Sequence, residues 1–130
     1  MDMSDATVAE FMTSPVLTVT GDELALEVAA AMDDQAIKSV VIVDEACQPE
    51  GILTSTDYVR LTAAGVDPTE TTVADHMTTD IVTTSPDTEL TVVASRMRAN
   101  DISHVPVVDG EDQVTGILTA TDLTSYLADG

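Results

Sequence analysis

The sequence is a chain of 130 residues in which 24 Asp and Glu residues stand against 4 Lys and Arg residues, for a formal net charge of −20. A protein that binds a nucleic-acid backbone needs clustered basic residues, so this charge excludes nucleic acid as an expected partner. The length is that of one ordinary domain, and a hydrophobic content of 44% in patterned runs argues against disorder. The acidic residues are therefore expected on the surface of a folded core.

Carboxylates at this density repel one another at low ionic strength, and the Debye length shrinks to about 3 Å in molar salt. The composition resembles that of cytoplasmic haloarchaeal proteins, and we expect a halophilic protein. The single cysteine, Cys47, cannot form an intramolecular disulfide, which fits a reducing compartment. No apolar run is long enough to span a bilayer, and the acidic start is unlike a signal peptide. A cytoplasmic location without membrane contact is expected.

The chain contains a tandem repeat. GILTSTD at Gly51–Asp57 returns as GILTATD at Gly116–Asp122, an offset of 65 residues. The same offset superposes Val8–Tyr58 on Val73–Leu123 without a gap, with about 20 of the 51 positions identical. We assign the repeats to residues 8–64 and 73–127 and the linker to residues 65–72. Each half alone would be marginally stable, so the two are expected to pack as one unit.

Taken in chain order, both repeats predict the same elements. A short amphipathic opening, VAEFM or VADHM, precedes an extended phrase rich in β-branched residues, PVLTVT or DIVTTS. A helix follows, and Asp22 or Asp87 can either cap its first turn or add a negative charge to it. Two apolar runs, SVVIVD or HVPVVD and then GILT, predict a pair of buried strands, and a last helix is expected to begin after the Asp of each heptapeptide. Each repeat is roughly β-α-β-β-α, and the fold class is α+β.

These motifs resemble the CBS-domain pair, also called the Bateman module, over nearly the whole chain. The motifs are VxxxMT, a helix that ends in Met, I-x-x-h-P-V-V-D (h is hydrophobic) and G-I-h-T-x-x-D. All are present twice, except that repeat one has Val41 in place of the proline and Ile42 in place of the first valine. The resemblance implies two repeats packed sheet to sheet about a pseudo-two-fold axis, with clefts for AMP, ADP, ATP or S-adenosylmethionine. It also implies a homodimer of such pairs, an unknown regulated protein as partner, and no enzymatic activity.

Asp57 and Asp122 are the candidate ribose-binding residues. Each lies three residues after a threonine, Thr54 or Thr119, that ends a predicted strand. An ionised carboxylate can accept both hydrogens of a cis-diol. In the resembled family this Asp binds the ribose, and the Thr contacts the ligand, often at a phosphate. An alternative stays open, in which the two Asp residues are helix N-caps and the two Thr residues only end strands.

Adenine recognition in the resembled family uses mostly backbone groups around the h-P phrase. In repeat two the phrase is intact at Val105 and Pro106. In repeat one it is Val40 and Val41, and the missing proline leaves an N–H that can pair differently. Repeat two is therefore the better-matched site.

Basic residues are scarce, and two of them lie just ahead of this phrase. Lys38 and His104 are candidates for phosphate or other polar contacts, although a solvated cation and a partly buried strand-edge histidine are the alternatives. The three arginines are expected in surface ion pairs. A triphosphate would face a repulsive field, so a mononucleotide or an S-adenosyl compound is favoured. No cofactor, metal site or catalytic set is predicted.

The main alternative to a ligand sensor is a dimerisation or scaffold module. Such a module would hold no ligand and would act through protein contacts alone. The scarcity of cations and the missing proline favour it, whereas the two T-x-x-D phrases disfavour it.

Overall fold

The computed structural model describes residues 6–14 and 16–129, without the side chains of residues 128 and 129. The described chain is a mixed α+β protein. Its elements in order are α1 (Val8–Phe11), β1 (Thr18–Thr20), α2 (Ala25–Gln35), β2 (Ser39–Val43), β3 (Pro49–Thr54), α3 (Ser55–Ala63), a 3-10 turn (Val73–Asp75), α4 (Leu90–Asn100), β4 (His104–Val108), β5 (Val114–Thr119) and α5 (Ala120–Asp129). Within the described residues no helix is both long and apolar enough to cross a membrane.

The chain divides into two compact units that do not follow the sequence repeats. The first is the continuous segment Leu17–Ile81, and the second joins the described residues up to Val16 to those from Val82 onward. The opening phrase of each repeat therefore lies in the unit that the rest of the other repeat builds. We call Leu17–Ile81 the continuous unit and the other the split unit.

The continuous unit has a three-stranded sheet in the order β1-β2-β3, with β1 parallel and β3 antiparallel to β2. The opening phrase of repeat two extends this sheet, because Thr78 and Ile52 exchange two backbone hydrogen bonds of 2.9 and 3.0 Å. Burial of apolar side chains is the main force that holds this unit together. Its core contains Val19, Val28, Met32, Val40, Ile42, Leu53 and Val73.

The split unit repeats this plan with an antiparallel β4-β5 pair. Here Thr13 of the first opening phrase exchanges hydrogen bonds of 2.9 and 3.1 Å with Ile117. The VxxxMT motif thus has one physical role in both units: its Val enters the core and its Thr pairs with a strand edge. The core residues are Val8, Leu90, Val93, Met97, Val105, Val107 and Leu118.

The extended phrase of repeat two forms less sheet than that of repeat one. Only a single parallel bridge joins Thr84 to Val107, where the continuous unit has the three-residue strand β1. In the continuous unit the Val41 N–H donates to the Leu17 carbonyl at 3.1 Å. Proline has no N–H, so Pro106 cannot make the equivalent bond, and the ladder shortens.

Asp22 and Asp87 do not cap the helices that follow them, contrary to the prediction. Helices α2 and α4 begin three residues later, after N-cap positions without a side-chain hydrogen bond. Each carboxylate instead accepts a hydrogen bond from the hydroxyl two residues before it, Thr20 Oγ1 at 2.6 Å and Ser85 Oγ at 2.8 Å. These bonds close a local turn, a role that short acidic side chains often take.

Candidate ligand-binding site

Each heptapeptide forms the junction between a strand and a helix. Thr54 ends β3 and Thr119 ends β5, and the helices begin at the next residue, before the Asp after which they were predicted to begin. In both junctions the Thr backbone N–H donates to Oδ2 of the Asp at 2.8 Å, and the Thr hydroxyl donates to the same oxygen at 3.1 Å. This is a capping box with Asp in place of the usual Glu, and it explains the early helix start. The alternative left open by the sequence, in which the Asp residues are the N-caps, is therefore wrong in position: Thr54 is the N-cap of α3, and Asp57 and Asp122 are the third residues of their helices, where capping engages one oxygen of each carboxylate.

The second oxygen differs between the two carboxylates. Oδ1 of Asp122 lies 3.4 Å from the hydroxyl of Thr13, which donates to it. Among the residues that the structure describes, no hydrogen bond reaches Oδ1 of Asp57. Both Asp side chains are partly exposed. Asp57 thus combines a fixed position with an acceptor oxygen that a ligand could use.

Strand register brings the h-P phrase to the same end of each strand pair as the capping box. Ser39 lies opposite Thr54 in the continuous unit, and His104 lies opposite Thr119 in the split unit. The Lys38 carbonyl accepts hydrogen bonds from the backbone N–H of Ser55 at 2.9 Å and from its hydroxyl at 3.2 Å. Lys38 is therefore brought to the junction that holds Asp57, and His104 to the junction that holds Asp122.

The two basic candidates differ in their surroundings. The Lys38 side chain is exposed, and among the described residues its ammonium group has no ion-pair partner. His104 is partly buried, with Nδ1 3.0 Å from the hydroxyl of Ser103. Lys38 could reach a polar group of a ligand without breaking a protein contact, whereas His104 already has one.

The residues predicted to contact adenine through their backbones are all buried: Val40, Val41, Val105 and Pro106. Two of their main-chain groups already have partners. The Val41 N–H donates to Leu17, so the extra N–H of repeat one is paired with the neighbouring strand, and the Pro106 carbonyl accepts from the Thr84 N–H at 3.1 Å. An adenine ring would have to pair with the remaining main-chain groups of this phrase, because these two are already hydrogen-bonded.

The remaining cations do not form the surface ion pairs that were predicted. Arg60, Arg96 and Arg98 are exposed, and within the described part of the chain none of them contacts a carboxylate closely enough for an ion pair. The small gain from an exposed pair does not hold long side chains in one geometry. No group of three His, Cys, Asp or Glu side chains among the described residues could hold a metal ion.

Two residues near the junctions were not singled out from the sequence. The Tyr58 hydroxyl donates to the Ala25 carbonyl at 2.7 Å and ties α3 to α2, and burial raises the pKa of this tyrosine to about 12. Thr13 contacts Asp122 across 109 positions of sequence. The position of Thr13 in VxxxMT was visible, but no signal in the sequence indicated that the opening phrase joins the other repeat.

Comparison with known proteins identifies both repeats. The family model for the CBS domain matches residues 8–63 and 73–129. An uncharacterized protein of Methanopyrus kandleri is 33% identical over 122 residues, which cover 93% of this chain and 62% of that protein. The chain spans only about a quarter of the length of several enzymes that it also matches.

Solved structures agree with the family match. The CBS domain pair of protein MJ0100, in complex with 5′-methylthioadenosine and S-adenosyl-L-methionine, has a TM-score of 0.86 at 29% identity, covering 95% of this chain and 97% of that one. The hexameric CBS-CP12 protein from bloom-forming cyanobacteria has a TM-score of 0.82 at 26% identity, covering 91% and 69%. The predicted α+β fold with two CBS repeats is confirmed, and the chain belongs to the CBS-domain family as a tandem CBS pair.

Proposed function

We propose that this CBS pair is a regulatory module that binds an adenosine-containing ligand and signals its presence to a partner protein. The observation that carries the proposal is the pair of matched junctions, which fix Asp57 and Asp122 through one oxygen each. At Asp57 the second oxygen has no partner among the described residues, and a carboxylate oxygen can accept a ribose hydroxyl. The MJ0100 pair supports this, since both of its ligands contain an adenosine ribose.

Each candidate residue takes a role that its position permits. Asp57 and Asp122 bind the ribose hydroxyls, and Thr54 and Thr119 supply a polar contact beside them. Lys38 and His104 contact the 5′ substituent of the ligand. The adenine ring lies against backbone groups of the h-P phrase, at Val40, Val41, Val105 and Pro106.

The charge of the protein favours some ligands over others. A net charge of −20 with 4 basic residues repels a triphosphate more strongly than a monophosphate or a neutral thioether, and attracts a sulfonium cation. We therefore favour AMP or an S-adenosyl compound over ATP. The partner protein is unknown, and the proposed working form is a homodimer of pairs in the cytoplasm, without catalytic activity.

A scaffold function is the second candidate, and one observation favours it. The capping boxes explain the presence of a T-x-x-D phrase in both repeats by helix capping, without any ligand. A scaffold would keep these residues for the helix start alone.

Thermal shift in molar salt, with AMP, ADP, ATP, 5′-methylthioadenosine and S-adenosylmethionine, separates the two functions. A ligand at 100 times its dissociation constant should add about 2.7 kcal/mol to the free energy of unfolding. The test variant is Asp57→Asn with Asp122→Asn, because the amide oxygen can still accept the Thr N–H and preserve the cap. The control is Asp22→Asn with Asp87→Asn, which removes the same charge from the turns that precede α2 and α4.

The proposed function predicts a shift with at least one compound, kept in the control and lost in the test variant. If none of the five compounds stabilises the unmutated protein, the scaffold function is supported. A shift that survives in the test variant would show that the ligand binds elsewhere.

A further inference from the structure

The two junctions have equivalent backbone hydrogen bonds, but their carboxylates differ in the hydrogen bonding of the second oxygen. Thr13 pairs with Ile117 as Thr78 pairs with Ile52, each through two backbone hydrogen bonds. The 65-residue offset makes Thr13 and Thr78 counterparts. Only the Thr13 hydroxyl reaches the carboxylate of its own unit, at 3.4 Å from Asp122 Oδ1. In the described chain Thr78 makes no such side-chain bond.

The Thr13 contact uses the oxygen of Asp122 that capping leaves over. Both oxygens of Asp122 already have protein donors. Oδ2 accepts from the Thr119 N–H and hydroxyl, and Oδ1 accepts from the Thr13 hydroxyl. Asp57 keeps one oxygen without a donor among the residues described. A ribose hydroxyl at Asp122 therefore meets an oxygen that already accepts from Thr13 and has one lone pair left, whereas the corresponding oxygen of Asp57 has no donor among the described residues.

We propose that Thr13 inhibits the Asp122 site, so that the ligand occupies the Asp57 site first. The inference rests on the proposed function and adds an order of occupancy to it. It also reverses the order expected from the sequence, in which repeat two was the better match. Binding at Asp122 would free the Thr13 hydroxyl from its contact, and Thr13 belongs to the opening phrase that crosses from the other repeat. Occupancy of the weaker site thus changes the contacts of that phrase.

Calorimetric titration of single-site proteins tests this order. Asp57→Asn leaves only the Asp122 site, and Asp122→Asn leaves only the Asp57 site; AMP and S-adenosylmethionine are the probes. Into the first protein we would introduce Thr13→Val, and into the second the matched change Thr78→Val. Valine preserves the shape and removes the hydroxyl in both.

Loss of one exposed competing hydrogen bond should tighten binding at Asp122 roughly 2- to 5-fold in Thr13→Val, with no change at Asp57 in Thr78→Val. Unchanged or weaker binding in Thr13→Val would overturn the inference, since Thr13 would then be neutral or would itself hold the ligand. An equal gain from Thr78→Val would overturn it too. If the unmutated protein binds neither probe, the proposed function fails for these ligands, and the inference fails with it.

Discussion

Thr84 illustrates how one side chain can cost stability without any visible distortion. Its hydroxyl is buried, and it is the one buried side-chain polar atom in the described chain without a hydrogen-bond partner. The residue is 5% exposed. Its counterpart in the continuous unit is Val19, which is 8% exposed in the same position of the repeat. A buried hydroxyl without a partner is destabilising, so repeat two carries a penalty that repeat one lacks.

Thr84→Val should therefore raise the free energy of unfolding by about 1 kcal/mol or more, because valine has nearly the same shape and no group to desolvate. The reverse change in the other unit, Val19→Thr, should lower it by a similar amount. Denaturant unfolding in molar salt measures both. A destabilised Thr84→Val protein would show that the hydroxyl has a partner, such as a bound water.

Residue identity predicted some of these details and not others. The missing proline of repeat one correctly indicated an N–H that pairs differently, and Val41 donates it to Leu17. The capping role predicted for Asp22 and Asp87 is wrong, because a turn and a helix start favour the same short acidic side chains. Thr84 gave no signal, since threonine is an ordinary residue in an exposed or buried extended segment.

At the scale of elements, the close approach of two chain segments explains why each heptapeptide starts with glycine. A Cβ placed at Gly51 would lie 2.7 Å from the Met77 sulfur and 2.8 Å from the Thr78 carbonyl. At Gly116 the same test gives 2.9 Å to the Met12 sulfur and 2.9 Å to the Thr13 carbonyl. The Met-Thr of an opening phrase and the Gly of the heptapeptide from the other repeat therefore pack directly against each other in both the continuous and the split unit.

Gly51→Ala should lower the free energy of unfolding by about 1–3 kcal/mol, because the backbone of Thr78 must move and its bridge to Ile52 weakens. Gly110→Ala is the control, since its added methyl group meets nothing within 4 Å. We expect the control to stay within about 0.5 kcal/mol of the unmutated protein. Equal stability of the two variants in thermal melts would refute the packing argument.

Periodicity predicted the helices and the paired strands well, because their apolar residues enter the two cores. It overestimated the length of the first strand of repeat two, where Pro106 has no N–H to donate to the sheet. It also placed the start of α3 and α5 too late, after the Asp, because a T-x-x-D capping box includes the Asp in the first turn of the helix.

For the whole molecule, each opening phrase packs in the unit built by the other repeat, and we expect this crossing to determine which fragment of the chain folds by itself. The continuous unit, Leu17–Ile81, includes β1 to β3, α2, α3 and the crossing phrase that closes its core at Val73. A fragment cut at the sequence repeat, residues 8–64, would lack Val73 and the Thr78 pairing, and would carry an opening phrase without its partner. The sequence alone does not show this crossing, since duplication makes the two opening phrases, VAEFMT and VADHMT, nearly interchangeable.

We expect a fragment of residues 17–81 to unfold cooperatively in molar salt, at lower temperature than the full chain, and a fragment of residues 8–64 to show no such transition. Circular dichroism melts compare the two directly. A cooperative transition in the 8–64 fragment at a temperature equal to or higher than that of the 17–81 fragment would contradict the crossing of the opening phrases.

The acidic surface should make the stability of the full chain depend on salt. Since screening weakens repulsion among 24 acidic residues, we expect the melting temperature to rise between about 0.1 M and about 2 M NaCl. An unchanged melting temperature would refute the proposed halophilic adaptation.

The central claim is that a carboxylate at the strand-helix junction binds the ribose diol of an adenosine compound. The most direct measurement is calorimetric binding of the best-stabilising compound and its 2′-deoxy analogue to the unmutated protein and to Asp57→Asn. We expect the deoxy analogue to bind about tenfold more weakly or worse, since one hydrogen bond to a charged acceptor is lost, and Asp57→Asn to reduce this discrimination. Equal binding of both compounds to the unmutated protein would contradict the claim.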